Sequence, residues 1–288
     1  MSHITKVDLT LILLTWNRRY LIHSVLYNIL TNKFPFKLIV VDNNSTDGTR
    51  EYLLEHKDEI DKLILNEKNI GCVAFNDAIR LAEGNYVSLQ ADDHILAPNW
   101  VATMHKVIRT VSRRIKNIGY VSSILHYAIA KKGSMKYLRN HRIPYAHWFG
   151  NAYITIHGWK GTEEKETCLH TQKFGKVRYM DARAVGNGGA IIPLKTFKRI
   201  GLYRTYGLRG LYDGEFRTRC RQYGLRVGYT PDTAFVHVKE MFLNPKRYKA
   251  GYKSVKPTLK QKVRLQRDWL ENRDSAKKSV PPPSVPKL

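Results

Sequence analysis

Residues 37–49 read KLIVVDNNSTDGT: a run of apolar, mostly β-branched residues stops at Asp42, and a turn of Asn, Ser, Thr, Asp and Gly follows. The run shows no alternation of apolar and polar residues, the pattern of a parallel strand covered on both faces. Upstream, Asp8 to Thr15 (DLTLILLT) is a second such run, and a helical pattern from Tyr20 to Leu30 separates the two. The unit is therefore β-α-β. Downstream the spacing predicts a helix over Thr49 to His56, a strand at Lys62 to Leu65, a helix over Val73 to Ala82 and a strand at Tyr86 to Leu89. This alternation predicts an α/β fold with a doubly wound sheet, whose ligands sit at the carboxyl ends of the strands.

Pro98 then opens a helix from Asn99 to about Val111, and Gly119 to Ile124 is a further strand. Residues 126–176 mix His, Tyr, Trp, Lys and Gly without a period, which predicts long loops or a substrate-facing insertion. Regularity returns at Ala190 to Pro193 and Lys195 to Ile200, followed by a helix over Asp213 to Tyr223 and short strands at Arg226 to Tyr229 and Ala234 to Val238. Residues 257–273 read as a basic helix. Residues 279–288, with Pro281, Pro282, Pro283 and Pro286, read as a disordered tail.

The 288 residues are 43% hydrophobic, with a mean hydropathy of −0.41. This excludes both a disordered chain and a membrane-embedded one. Cys72, Cys168 and Cys220 are odd in number and widely spaced, which argues against a disulfide framework or a zinc knuckle. The apolar run near the N-terminus is too short to span a bilayer and lacks a small-residue cleavage site. A cytoplasmic protein without integral membrane segments is expected.

The net charge is +25, which points to a polyanionic partner. The charge is unevenly placed. Residues 1–93 hold 10 Lys/Arg and 13 Asp/Glu, whereas residues 94–162 hold 11 Lys/Arg and no acid. So long an acid-free stretch reads as one section built to meet negative charge, with a merely solvated basic face as the alternative.

Four groups could carry chemistry. Asp42 ends a strand where a doubly wound sheet binds its ligand, although taken alone an ordinary Asx-turn is the more common reading. Asp92-Asp93-His94 follows the strand YVSLQ, and adjacent carboxylates call for a cation or donors. A hard divalent ion would answer that need and could hold a nucleotide diphosphate, while an N-cap or solvated turn acids are the bland reading. Asp213 and Glu215 open a helix, where the macrodipole alone favours acids. His237 ends a β-like run, where a core histidine is the more common reading.

Taken together, order and spacing resemble family 2 glycosyltransferases of the GT-A fold. The matching pieces are Leu14-Thr15-Trp16-Asn17-Arg18, Val40 to Thr49, Asn69-Ile70-Gly71 with Asn76 and Ala78, and Asp92-Asp93. Gly188-Gly189-Ala190, Asp213-Gly214-Glu215-Phe216 with Arg219 and Gly224, and His237 complete the set. The resemblance covers residues 8–238. It implies a Rossmann-like, mixed and mostly parallel sheet flanked by helices, here with a basic C-terminal extension. It also implies a transferase domain over 1–238, of which 1–93 is the nucleotide-binding half and 94–238 the acceptor side. A basic helical extension (239–278) and the tail (279–288) then follow.

Position by position, the resemblance implies that Thr15, Asn17, Arg18, Asp42, Asn69 and Asp92 hold the nucleotide of a nucleotide-sugar, a UDP-sugar first. Asp93 and His237 would hold Mn²⁺ or Mg²⁺, and Asp213 would be the base of an inverting transfer. The sequence departs from the family pattern in three places: Tyr212 precedes the base, Glu215 stands where Asp is usual, and the metal motif reads Ala91-Asp92-Asp93-His94.

A nucleotide-sugar pocket does not need the positive charge, so the charge is assigned to the acceptor. Between His126 and Trp159, Lys131, Lys132, Lys136, Arg139 and Arg142 interleave with aromatics such as Tyr137, Tyr145 and Trp148, and Lys246, Arg247 and Lys249 extend the basic set. That mixture suits phosphate contact and base stacking. A membrane surface would ask for a bulkier apolar stripe than Leu259, Val263, Trp269 and Leu270 provide. The favoured acceptor is therefore nucleic acid, specifically hydroxylated bases in DNA such as a hydroxymethyl-pyrimidine. With that acceptor the chain would be a DNA-modifying member of viral or phage type, acting in the host cytoplasm if viral. Two alternatives stay open: a peripheral-membrane transferase building a surface polysaccharide or glycolipid, and a non-catalytic nucleic-acid-binding protein on a transferase scaffold.

Overall fold

The computed structural model describes residues 7–19, 21–130, 154–157, 168–182, 186–204 and 212–238. Strands β1 (Leu9–Thr15), β2 (Lys37–Asp42), β3 (Lys62–Leu65) and β4 (Tyr86–Ala91) are parallel and lie in the order β3-β2-β1-β4. Leu9, Leu11, Ile12 and Leu13 of β1 are all fully buried, because helices cover both faces. Leu11 and Leu13 pack on one side with α1 (Ile22–Leu30), Leu53 of α2 (Thr49–Glu55) and α4 (Trp100–Arg114). Ile12 packs on the other with α3 (Phe75–Arg80), α5 (Leu194–Ile200) and α6 (Tyr212–Gln222). The result is the expected three-layer, doubly wound arrangement, with every predicted strand and helix of the first 93 residues in place.

Beyond β4 the sheet becomes mixed. It continues β10-β6-β11-β9-β8, with β5 (His94–Leu96) on β11 and β7 (Ile154–His157) on β6. The added strands are β6 (Ile118–Ala130), β8 (Cys168–Phe174), β9 (Val177–Ala182), β10 (Ala190–Pro193) and β11 (Arg226–Val238). Two expectations meet a different structure among the described residues. The aperiodic stretch from 126 holds strand wherever it is described: β6 runs on to Ala130, and β8 and β9 form a hairpin across Gly175-Lys176, with Gly175 at φ +62°. These strands are stabilised by non-local pairing, which leaves little periodicity in the sequence. The two short strands predicted after residue 225 are one strand, β11, which slips register against β6 between Thr230 and Ala234 around Pro231.

The predicted acceptor residues Lys131, Lys132, Lys136, Arg139, Arg142, Lys246, Arg247 and Lys249 lie outside the described residues, as do the basic helix 257–273 and the tail 279–288. Among the described residues, no helix is long and apolar enough to cross a membrane. Cys72 and Cys220 are buried free thiols, both pushed up to about 12 by burial.

Candidate active site

The chain leaves β1 toward β2 and β3 and then returns to the other side of β1 as β4, so the strand order reverses between β1 and β4. A crevice opens at the carboxyl ends of strands at such a point. The register pairs Thr15 with Asp42 and Leu14 with Ala91, which brings three loop starts together at one edge.

On the β2 side, Asp42 is fully buried. Its carboxylate accepts from Arg50 Nε at 2.6 Å and from the Ser45 N–H at 3.2 Å, so the turn geometry is realised with a half-buried cation added. Arg50 also donates to the Asn66 carbonyl at 2.6 Å. Asn17 adopts φ +53°, and its side chain accepts from the Thr46 N–H at 2.7 Å while its own N–H donates to Ser45 Oγ at 2.8 Å. Asn69 accepts from Asn43 Nδ2 at 2.8 Å and from the Gly71 N–H at 2.9 Å. The two turns are thus stitched to each other through Asn43, whose Oδ1 accepts from Asn66 and Ile70. Thr15 Oγ1 is buried and has no hydrogen-bond partner among the described residues.

On the β4 side, Asp92 accepts from the Trp16 N–H at 2.9 Å and from Arg18 Nε at 3.0 Å. Arg18 also reaches Asp93 at 3.6 Å. Burial raises the Asp92 carboxyl, against the pull of Arg18. Burial works in the same direction on Asp93, but His237, then Arg18 and His94, outweigh it and hold this carboxyl well below the usual range. The two adjacent acids are therefore not equivalent: burial dominates at Asp92 and the neighbouring cations at Asp93.

Asp93 and His237 are 144 positions apart in the chain, yet His237 Nε2 lies 3.1 Å from Asp93 Oδ2. The contact follows from the antiparallel pairing of β5 with β11, which sets His94 opposite His237. This oxygen–nitrogen pair suits a divalent ion: two neighbouring ligands of an octahedral ion bound at about 2.1 Å lie about 3 Å apart. Among the described residues, no set of three or more His, Cys, Asp or Glu is gathered to hold an ion. The pair would be completed by substrate phosphate oxygens and water, the usual habit of Mg²⁺ sites.

Asp213 stands in the first turn of α6. Its carboxylate accepts from the Asn187 N–H, and its Oδ1 is buried with no hydrogen-bond partner among the described residues. Burial raises its pKa to about 6, and the Asn187 N–H, Arg217 and His237 pull in the opposite direction. Glu215, two residues on, is engaged otherwise: it accepts from Arg219 Nη2 at 3.0 Å and lies 3.7 Å from Arg204. Buried Arg219 in turn donates to the carbonyls of Ile200 and Leu202, tying α6 to the end of α5. The two acids of this helix start therefore separate into an anchor and a carboxylate with an uncommitted oxygen.

Four further residues shape this site, and sequence alone assigned them no role. His94 is buried against Phe235, with ring centroids 4.7 Å apart, and burial pushes its imidazole down to about 4. Gly188 and Gly189 let the loop before β10 close over it. A Cβ on Gly188 would come 3.0 Å from His94 Cε1, and one on Gly189 (φ +59°) would come 2.3 Å from the Phe235 ring. Asn187, buried beside them, donates to the Tyr203 hydroxyl as well as to Asp213. The signal available in sequence was the Asn-Gly-Gly run, read only as part of the family pattern. Asn76, another part of that pattern, exchanges two hydrogen bonds with the Tyr203 backbone and holds α3 to the segment after α5.

Residues 10–157 match the family described as glycosyl transferase family 2. TuaG of Bacillus subtilis, a glycosyltransferase assigned to teichuronic acid biosynthesis, is 37% identical over 84 residues, 27% of this chain and 33% of the relative. WfgD of Escherichia coli, a UDP-Glc:alpha-D-GlcNAc-diphosphoundecaprenol beta-1,3-glucosyltransferase, is 29% identical over 110 residues, 38% of this chain and 41% of the relative. The chain thus spans well under half the length of either curated relative. Among solved structures, GalNAc-T7 with UDP, GalNAc and Mn²⁺ superposes with a TM-score of 0.57 at 14% identity, over 82% of this chain and 44% of that one. At that identity the likeness is one of fold.

Proposed function

The chain belongs to glycosyl transferase family 2, and on that premise we propose that it is a metal-dependent, inverting glycosyltransferase. It moves a sugar from a nucleotide-sugar, a UDP-sugar first, to a hydroxyl of a polyanionic acceptor, specifically hydroxylated bases in DNA such as a hydroxymethyl-pyrimidine. The observation that carries the reading is the convergence of Asp93 and His237, 3.1 Å apart, with an Asp213 carboxylate whose buried Oδ1 has no partner among the described residues.

In this reading Thr15, Asn17, Asp42 and Asn69 form the pocket for base and ribose, with Asp42 acting through Ser45 and Arg50. Arg18 and Asp92 border the ribose and diphosphate. Asp93 and His237 hold Mn²⁺ or Mg²⁺, which when bound supplies positive charge to the leaving diphosphate. Asp213 accepts the proton of the acceptor hydroxyl while that oxygen attacks the anomeric carbon from the face opposite the nucleotide. The bond to the diphosphate oxygen breaks, and the nucleoside diphosphate leaves with the electron pair.

A second reading keeps the chemistry and changes the acceptor. The names of TuaG and WfgD concern teichuronic acid and an undecaprenol-linked sugar, which favours a peripheral-membrane enzyme building a surface polysaccharide or glycolipid. Incubation with Mn²⁺, a panel of nucleotide sugars, and either hydroxymethylated DNA or lipid-linked glycan separates the two by where the sugar is recovered. No turnover of any donor, alongside tight DNA binding, would sink both and leave a non-catalytic nucleic-acid-binding protein.

A further inference from the structure

Helix α4 follows directly on the Asp92-Asp93-His94 segment and carries a face that the site chemistry does not use. Its inner side is core: Val101, Met104, Val107, Ile108 and Val111 are all buried. Lys106, Arg109, Arg113 and Arg114 are exposed, and Lys116 is exposed just beyond the last turn. Spacings of three and four put Lys106, Arg109 and Arg113 in one row, with Thr110 on the same side. The whole helix belongs to the acid-free segment 94–162. None of these five cations forms an ion pair with a carboxylate among the described residues. Asp8 feels Arg109, but its own carboxylate is hydrogen-bonded to His105 at 2.9 Å and Asn85 at 2.6 Å. Exposed Lys173 and Lys176 lie on the β8–β9 hairpin, whose Val177 and Tyr179 share a core with α4.

We infer that this face of α4 is a docking surface for the phosphate backbone of duplex DNA. From Lys106 to Arg113 the row is about 10 Å long. Each of its three cations can neutralise one phosphate of such a backbone. Like charges so aligned repel, and an isolated protein gains nothing from that arrangement; a polyanion relieves it by releasing its counterions. An anionic membrane would meet the same charge, but no Leu, Phe, Trp or Tyr is exposed on α4 to enter the lipid interface. The half-buried hydroxyls of Thr103 and Thr110 suit phosphate oxygens instead. The inference rests on the polyanionic-acceptor reading for the class of partner, and not on catalysis.

The test compares the full-length protein with the triple variant Lys106→Gln, Arg109→Gln, Arg113→Gln, which keeps good helix formers at exposed positions. A control variant, Lys57→Gln, Lys62→Gln, Lys68→Gln, loses the same charge from exposed positions on and around β3. Binding to a short fluorescein-labelled duplex is followed by anisotropy from 50 to 200 mM salt. The α4 variant should bind about tenfold or more weakly at 50 mM salt, and its slope of log affinity against log salt should shrink by about 2.7. The control should change little. Equal losses in both variants would reduce the effect to net charge and overturn the inference, as would undiminished binding by the α4 variant. Binding to phosphatidylserine vesicles that is stronger than binding to DNA and lost in the α4 variant would overturn it in favour of a membrane. Donor hydrolysis is measured on the same samples. If no donor is turned over while the α4 variant still loses DNA, the transferase proposal fails and this surface stands.

Discussion

Asp213→Asn tests whether the carboxylate of α6 is kept for chemistry or for the fold. Burial raises its pKa from 3.8 to about 6. A gap of about two pKa units corresponds to about 3 kcal/mol. The sign follows from proton counts. Below pH 3.8 the carboxyl is protonated in both states; between 3.8 and about 6 the folded state holds a proton that the unfolded state has lost. Stability therefore falls as pH rises through that window, and at neutral pH the ionised group costs up to about 3 kcal/mol. Asparagine is isosteric, keeps an acceptor for the Asn187 N–H and carries no charge. The variant should thus be more stable than the parent by about 2 kcal/mol at pH 7, or about 4–8 °C in Tm for a chain of this size, with the gap closing by pH 4. Transfer should be abolished in the variant, and the parent's rate should drop about tenfold per pH unit below pH 6. Urea unfolding of both proteins at the two pH values, with donor turnover on the same samples, checks each arm. A variant that is less stable than the parent at both pH values, or that still transfers sugar, would refute the reasoning: Asp213 would then be a structural acid.

Asp93→Ala should remove the Mn²⁺-dependent part of UDP binding in calorimetry; equal affinity with and without Mn²⁺ in the parent would count against a metal at Asp93 and His237. Arg50→Met leaves the fully buried Asp42 without its cation and should cost on the order of 3 kcal/mol in urea unfolding, so a loss below 1 kcal/mol would mean that Ser45 alone satisfies the carboxylate. Gly189→Ala places a Cβ 2.3 Å from the Phe235 ring at φ +59°. It should destabilise by about 3 kcal/mol, from left-handed strain plus overpacking. Unchanged stability would show that the loop before β10 yields freely.

The first 93 residues were legible because their signals are local. The unbroken runs DLTLILLT and KLIVV, each ending in a polar turn, encode covered parallel strands within a few residues, and short crossovers leave little choice in how they assemble. The far side was not legible in the same way. β8 and β9 lack apolar runs and exist because they pair with each other and with β11, so their periodicity is weak.

Composition and order alone determined the doubly wound class, the edge of the sheet where a ligand belongs, and the concentration of positive charge after Asp93. They also placed Asp42, Asp92, Asp93, Asp213 and His237 on a shortlist without distinguishing chemistry from turn-making. Tertiary structure alone decided what surrounds each acid. Asp42 is covered by Arg50, Glu215 is held by Arg219, Asp93 meets His237, and Asp213 keeps a buried oxygen without a partner among the described residues. The reason is physical: what a carboxylate can do depends on its burial and on the charges within a few ångströms. Those neighbours arrive from strands and helices far away in the chain, through a register such as His94 opposite His237 that no local pattern encodes.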